Sequence, residues 1–292
     1  MDRAIVTMGI LAGLGFAPAG CASTASDAPD DGGAPSLLGD ASGFGGDGAA
    51  GSSVVLAVIR DFRFYNANDP STDPDFENPP YDIDQNGNPA PGYQGPWDDR
   101  NIAADTLGPD GKPVYKNPGG TTLTTHGQAS FDKWYHDVSG TNYHVEYPVP
   151  VTQRAAGVFG YDSASSGVPY GDGINQGNGF FPIDDGSMYQ TPFGQQGKPH
   201  NYSFTVEIHT VFSYRGGEYF TFRGDDDVFV FINGKLVINL GGIHSPEMAQ
   251  VNVDTLGLTM GDVYPLDFFS AERHVTGSNI LFETTLKLQP IH

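Results

Sequence analysis

An all-β fold, an antiparallel β-sandwich or barrel with long loop insertions, is what this 292-residue sequence predicts. The C-terminal third alternates with period two: Tyr202, Phe204, Val206 and Ile208 against Ser203, Thr205 and Glu207, then Ile280, Phe282, Thr284, Leu286 and Leu288 against Leu281, Glu283, Thr285 and Lys287. No apolar period of 3.6 persists over an ordinary helix length. The 40 glycines and 22 prolines break the chain into short segments, and Asn233-Gly234, set between two apolar runs, is a type I′ hairpin signal. Hydrophobic content of 38% with 12% aromatics is enough to fill a core.

Residues 1–21 hold one basic residue, Arg3, an apolar run from Ala4 to Phe16, and then Pro18-Ala19-Gly20-Cys21. An apolar run that short, ending in small residues, is a secretory signal rather than a membrane span. The ending resembles the lipobox of bacterial lipoproteins, which makes Cys21, the single cysteine, the expected lipidation site. Ordinary cleavage after Ala17-Pro18-Ala19 is the alternative. Residues 22–53 are Ala, Gly, Ser and Asp with little that is apolar, and they read as a disordered tether.

The folded domain is expected over 54–292. Val54–Phe62 reads as a buried strand. Residues 66–120, rich in Pro, Asn, Asp and Gly, read as ordered loops, because Tyr81, Tyr93, Trp97 and Tyr115 need burial. Phe131–Tyr135 suits a short helix and Tyr143–Val151 a strand. Residues 157–199 form a second glycine-rich insertion. Strands follow at 201–208, 219–222, 228–232, 235–240, 263–270 and 280–288, with a turn at Gly216-Gly217.

Chemistry concentrates in the loop Gly224-Asp225-Asp226-Asp227. Adjacent like charges repel, so such a loop is either solvated or held by a cation. Ca²⁺ takes six to eight oxygens, which neighbouring aspartates help supply. The plainer alternatives are an exposed acidic turn and aspartates that cap loop backbone. Asp82-Ile83-Asp84-Gln85-Asn86-Gly87 looks like half of an EF-hand loop, but Tyr93 stands where the closing Glu belongs. The histidines show no zinc spacing; His244, after Gly241-Gly242, is placed to order the loop beside the acidic one. No Gly-x-Ser-x-Gly, phosphate loop or thiol nucleophile outside the signal is present. The chain is therefore read as no enzyme, with Glu207, Glu218 and Glu272 as the carboxylates a glycoside hydrolase would draw on.

Several of these segments together resemble the fibro-slime domain of bacteria and slime moulds. They are Gly224–Leu236, Leu240–His244, Asp254–Leu258, Ala271–His274 and Thr276–Asn279, with Arg60–Phe62, Pro74–Glu77, Asp110–Val114, Phe131–Tyr135 and Phe180–Asp184 upstream. That family is similar in turn to the protective-antigen-type β-barrel of toxins, adhesins and some glycosidases. The resemblance implies a Ca²⁺ on Asp225 and Asp226 that contacts sugar hydroxyls, and a carbohydrate-binding set of Asp225, Asp226, Asn239 and His244. The sequence departs from the family pattern at Phe229, where Trp is usual, and at Asn239, where Asp is usual. Asp227 is expected to face the other way and serve structure.

A net charge of −21 sets the chain against nucleic acid and anionic membrane surfaces, membrane contact being expected only through the lipid anchor. The expected function is calcium-assisted binding of extracellular polysaccharide in adhesion, on a protein that is secreted or anchored to the bacterial outer membrane. A structural matrix protein whose Ca²⁺ only orders a loop is the alternative, and a carbohydrate-active enzyme a further one.

Overall fold

A computed structural model describes residues 52–63, 65–76, 97–165, 169–170, 177–184, 200–274 and 277–290. Cys21, almost all of the tether, the Asp82–Gly87 loop, Tyr81 and Tyr93 lie outside these residues. In chain order the strands are β1 (Ser52–Phe62), β2 (Trp97–Asp98), β3 (Ala103–Leu107), β4 (Pro113–Tyr115), β5 (Asn142–Ala155), β6 (Val158–Asp162), β7 (Pro169–Tyr170), β8 (Gly177–Asn178) and β9 (Phe204–Ser213). They continue as β10 (Tyr219–Gly224), β11 (Asp227–Ile232), β12 (Lys235–Leu240), β13 (Gly242–Ile243), β14 (Glu247–Asn252), β15 (Val263–Glu272), β16 (Ile280–Thr284) and β17 (Gln289–Pro290). The described α-helix, α1 (Gln128–Phe131), is a single turn.

One antiparallel sheet dominates, in the order β14-β10-β16-β6-β5-β1-β9-β15-β11-β12-β3-β4, with β17 added on β9. Although β12 and β14 are far apart in that order, they approach one another, so the sheet curls towards a barrel. The all-β expectation holds. Inside the curl lie Val55, Ala57, Ile59, Val206, Phe222, Val228, Val230, Leu266, Phe268 and Phe282. A second core forms on the outer face of β11 and β15, where Phe229, Phe231, Phe269 and Ala271 meet Phe62, Phe76, Ile102, Tyr115, Phe131, Trp134 and Tyr135. Strand β11 is therefore buried at all six positions, alternate residues facing different cores. Each buried aromatic contributes about 1.5–3 kcal/mol, so the 97–142 segment is a structural layer rather than decoration.

Several boundaries differ from expectation for local reasons. Strand β1 includes Ser52 and Ser53, which pair with Thr152 and Val151. Strand β9 starts at Phe204 and not at Asn201: the Asn201 side chain accepts from Ser203 N at 2.8 Å and donates to Asp61, which makes a turn. The helix stops at Phe131 instead of spanning 131–135. Asn142 takes over the carbonyls of Lys133 and His136 with its side-chain amide, at 3.0 and 2.8 Å. Phe131, Trp134 and Tyr135 still share one buried cluster. The last strand divides after Thr284, whose hydroxyl accepts from Leu286 N and donates to Tyr219 O. The hairpin turn is as read: Asn233 and Gly234 take φ of 52° and 71°.

Candidate functional site

The acidic loop connects β10 to β11 at the end of the barrel where the outer layer closes over it. Two rigid strands flank it, so the three carboxylates are fixed in place. They are not solvated, and the exposed-turn alternative falls: Asp225 is 8%, Asp226 5% and Asp227 0% exposed. Each is satisfied by protein donors, as buried polar groups must be. Asp225 accepts from Asn279 N at 2.5 Å and Asn279 Nδ2 at 3.0 Å. Asp226 accepts from the backbone N–H groups of His244, at 3.1 Å, and Arg273, at 3.2 Å. Asp227 accepts from Gly242 N and Arg273 Nε, both at 2.6 Å. The aspartates thus cap loop backbone, and Asp227 takes the structural role expected of it.

Arg273 is the keystone. It is fully buried, donates to Asp227, reaches the carbonyls of Asp75 and Thr124 with Nη1, and lies 4.6 Å over the Trp134 ring. Burial weakens its hold on its proton, yet Asp227 outweighs that and the guanidinium pKa rises. Burial pushes all three carboxyls upward. Asp226 rises furthest, because the charges of Asp227 and Asp225 add to its burial. Among the described residues only Asp227 pairs with the guanidinium, and ionising Asp225 and Asp226 together is costly unless a cation offsets it.

The other expected site residues lie on the neighbouring loop. His244 touches Asp226 through its backbone; its ring nitrogens lie 3.0 Å from the carbonyl oxygens of Leu240 and Ser245, so the ring orders the loop. Asn239 turns its amide into the protein, donating to Arg100 O and accepting from Gly241 N, both at 3.1 Å. Asp225, Asp226 and His244 are therefore brought together, and Asn239 supports the loop from behind. Gly242, at φ 124°, pairs with Asp98 so closely that a Cβ would lie 2.2 Å from Trp97 O. Only glycine lets strand β2 dock here.

Two carboxylates fall short of the six to eight oxygens Ca²⁺ takes, and among the described residues no group of three or more His, Cys, Asp or Glu forms a ready cage. Asp225 and Asp226 could hold a cation if carbonyls and water completed the shell. Their oxygens each carry one donor and have a further lone pair.

Sequence reasoning missed a second ionic cluster, on β9 and β15. Glu207 accepts from Arg60 Nη1 at 2.6 Å, from Lys112, and from the His209 ring at 2.5 Å; the other ring nitrogen is 2.7 Å from Asp267. Burial opposes charge on Glu207, but the bonds from His209 and Lys112 prevail and bring its pKa down to about 2. Asp267 and then Glu207 raise His209 from 6.5 to about 9. The stability contributed by protonated His209 is thus complete below pH 6.5 and is lost as pH rises through about 9. Because the ring is a third exposed, solvent screening leaves about 1–2 kcal/mol. The melting temperature should fall between pH 6.5 and 9.5, and His209→Gln should flatten that slope; an equal slope in the variant would assign it to other groups. Of the hydrolase candidates, Glu207 is committed to this cluster and Glu218 to Arg215, while Glu272 is buried at 3% exposure.

The PA14 domain matches residues 186–290. Protein psiR of Dictyostelium discoideum is 39% identical over 235 residues, which span 80% of this chain and 21% of psiR. Protein psiC of the same organism is 37% identical over 204 residues, 65% of this chain and 36% of psiC. The chain thus spans about a fifth to a third of these relatives. Among solved structures, the PA14 sugar-binding domain from an RTX adhesin is 12% identical, with a TM-score of 0.31 over 80% of this chain and 91% of that one. The PA14 domain of the MpAFP antifreeze protein is 13% identical, with a TM-score of 0.25 over 44% of this chain and 65% of that one. The strands that carry the acidic loop and Arg273 are, by sequence, those similar to the PA14 domain.

Proposed function

We propose that this chain is an extracellular glycan-binding module of the fibro-slime type, in which a Ca²⁺ on Asp225 and Asp226 supports binding of polysaccharide. The observation that carries the reading is the adjacent, buried pair Asp225 and Asp226, whose four oxygens each take one N–H donor and keep a further lone pair. The match of residues 186–290 to the PA14 domain supports it, as does the sugar-binding named for the RTX adhesin domain. A bound dication would stabilise the ionised pair and hold the loop against the neighbouring 239–244 segment.

The test is retention of the full chain on immobilised polysaccharides in millimolar Ca²⁺ and again in chelator. Retention that chelator abolishes is expected. A second reading, that the cation only orders the loop of a structural matrix protein, draws on the backbone donors already placed on Asp225 and Asp226. It predicts that Ca²⁺ raises the melting temperature with no retention in either buffer.

A further inference from the structure

Beside the acidic loop, an open polar groove of about 490 Å³ runs between the 98–101 segment and the loop after β4. We propose that this groove is the subsite that contacts the sugar, and that it takes a segment of a neutral polysaccharide; the inference rests on the glycan-binding reading above. The groove is lined by Asp99, which is 3% exposed and held by three donors: Thr124 N at 2.9 Å, Thr124 Oγ1 at 3.2 Å and Asn101 N at 3.3 Å. Its rim carries the amides of Asn101 and Asn117 and the hydroxyls of Thr121 and Thr122. Amides and hydroxyls both donate and accept, which suits vicinal sugar hydroxyls. The rim is set in advance: Asn117 Nδ2 donates to Thr121 O at 3.0 Å, and the Thr122 hydroxyl lies 2.6 Å from that of Thr125. A rim already ordered loses little entropy on binding.

Charge decides the class of polymer. Asp98 and Asp99 line the groove against one lysine, Lys116, which pairs with Asp105 at 3.1 Å. A uronic-acid or sulfated polymer would meet net repulsion there. The groove is also wired to the acidic loop. Arg273 bonds Asp226 through its backbone and Thr124 O through Nη1, at 2.8 Å, and Thr124 N holds Asp99. On the other side, Asp99 N and Arg100 Nη1 share the carbonyl of Gly241. A cation at Asp225 and Asp226 would therefore act by fixing the groove wall, without having to touch the sugar.

Affinity electrophoresis of the full chain in Ca²⁺, through gels holding dextran, a β-glucan, a galactan or a polyuronate, tests this. Retardation by at least one neutral polymer and not by the polyuronate is expected. Asn101→Ala and, separately, Thr121→Glu, both at exposed positions, should weaken it ten-fold or more with an unchanged melting temperature. Variants retarded like wild type would remove the groove from the site and leave glycan binding standing. Retardation of wild type by the polyuronate alone would overturn the assigned chemistry. Retardation by none of the four would overturn both the groove and the glycan reading.

Discussion

Arg273→Met is expected to lower stability by about 3–5 kcal/mol, the cost of leaving a buried carboxylate without its partner. Domains of this size are stable by about 5–15 kcal/mol, so the variant should melt far earlier or fail to fold. The side chain replaced is fully buried, holds Asp227 at 2.6 Å, joins the carbonyls of Asp75 and Thr124, and covers Trp134. Three chain segments distant in sequence thus depend on one guanidinium. Arg273→Lys should recover little, because an ammonium cannot reproduce the planar fork. Arg273→Met/Asp227→Leu should recover part of the loss by removing the stranded charge, although Gly242 N then loses its acceptor. Thermal denaturation of the three variants checks this, and a melting temperature for Arg273→Met within a few degrees of wild type would refute the keystone role.

The second large effect is expected from calcium. Extracellular calcium modules bind with Kd of about 10⁻⁴–10⁻³ M. At a free concentration of 100 Kd a ligand specific to the folded state stabilises it by about 2.7 kcal/mol. For a domain of this length that corresponds to about 5–10 °C in melting temperature. The physical source is the buried pair Asp225 and Asp226, whose ionised form burial opposes and a dication would stabilise. Asp226→Asn should abolish the calcium increment, because it removes one of the two carboxylates proposed to hold the ion. Its amide nitrogen would also face backbone N–H groups where the carboxylate oxygens now accept two. A calcium increment of the same size in Asp226→Asn would place the cation elsewhere.

Much of the barrel could be read from sequence, because strands that face one core alternate and their turns carry Asn-Gly or Gly-Gly. The run Val228–Ile232 was legible as a strand but not as one enclosed on both faces. Its second cover comes from Phe62, Phe76 and the 102–135 segment, whose Pro, Asn and Gly content looks like loop. The acidic loop was legible as a site because three adjacent aspartates are rare without a reason. That they are buried was not, since their counter-charge lies 46 residues further along the chain, at Arg273. The wall made by Asp99 and Thr124 was equally hidden, for no local pattern pairs Asp98 with Gly242. The Glu207 cluster escaped for the same reason: Arg60, Lys112, His209 and Asp267 converge only once β1, β9 and β15 are side by side.

Glycan binding by the acidic loop through a cation is decided by retention of wild type and Asp226→Asn on one retaining polysaccharide in millimolar Ca²⁺. Wild type is expected to be held and the variant, with an unchanged circular dichroism spectrum, to flow through. Equal retention of the two proteins would contradict it.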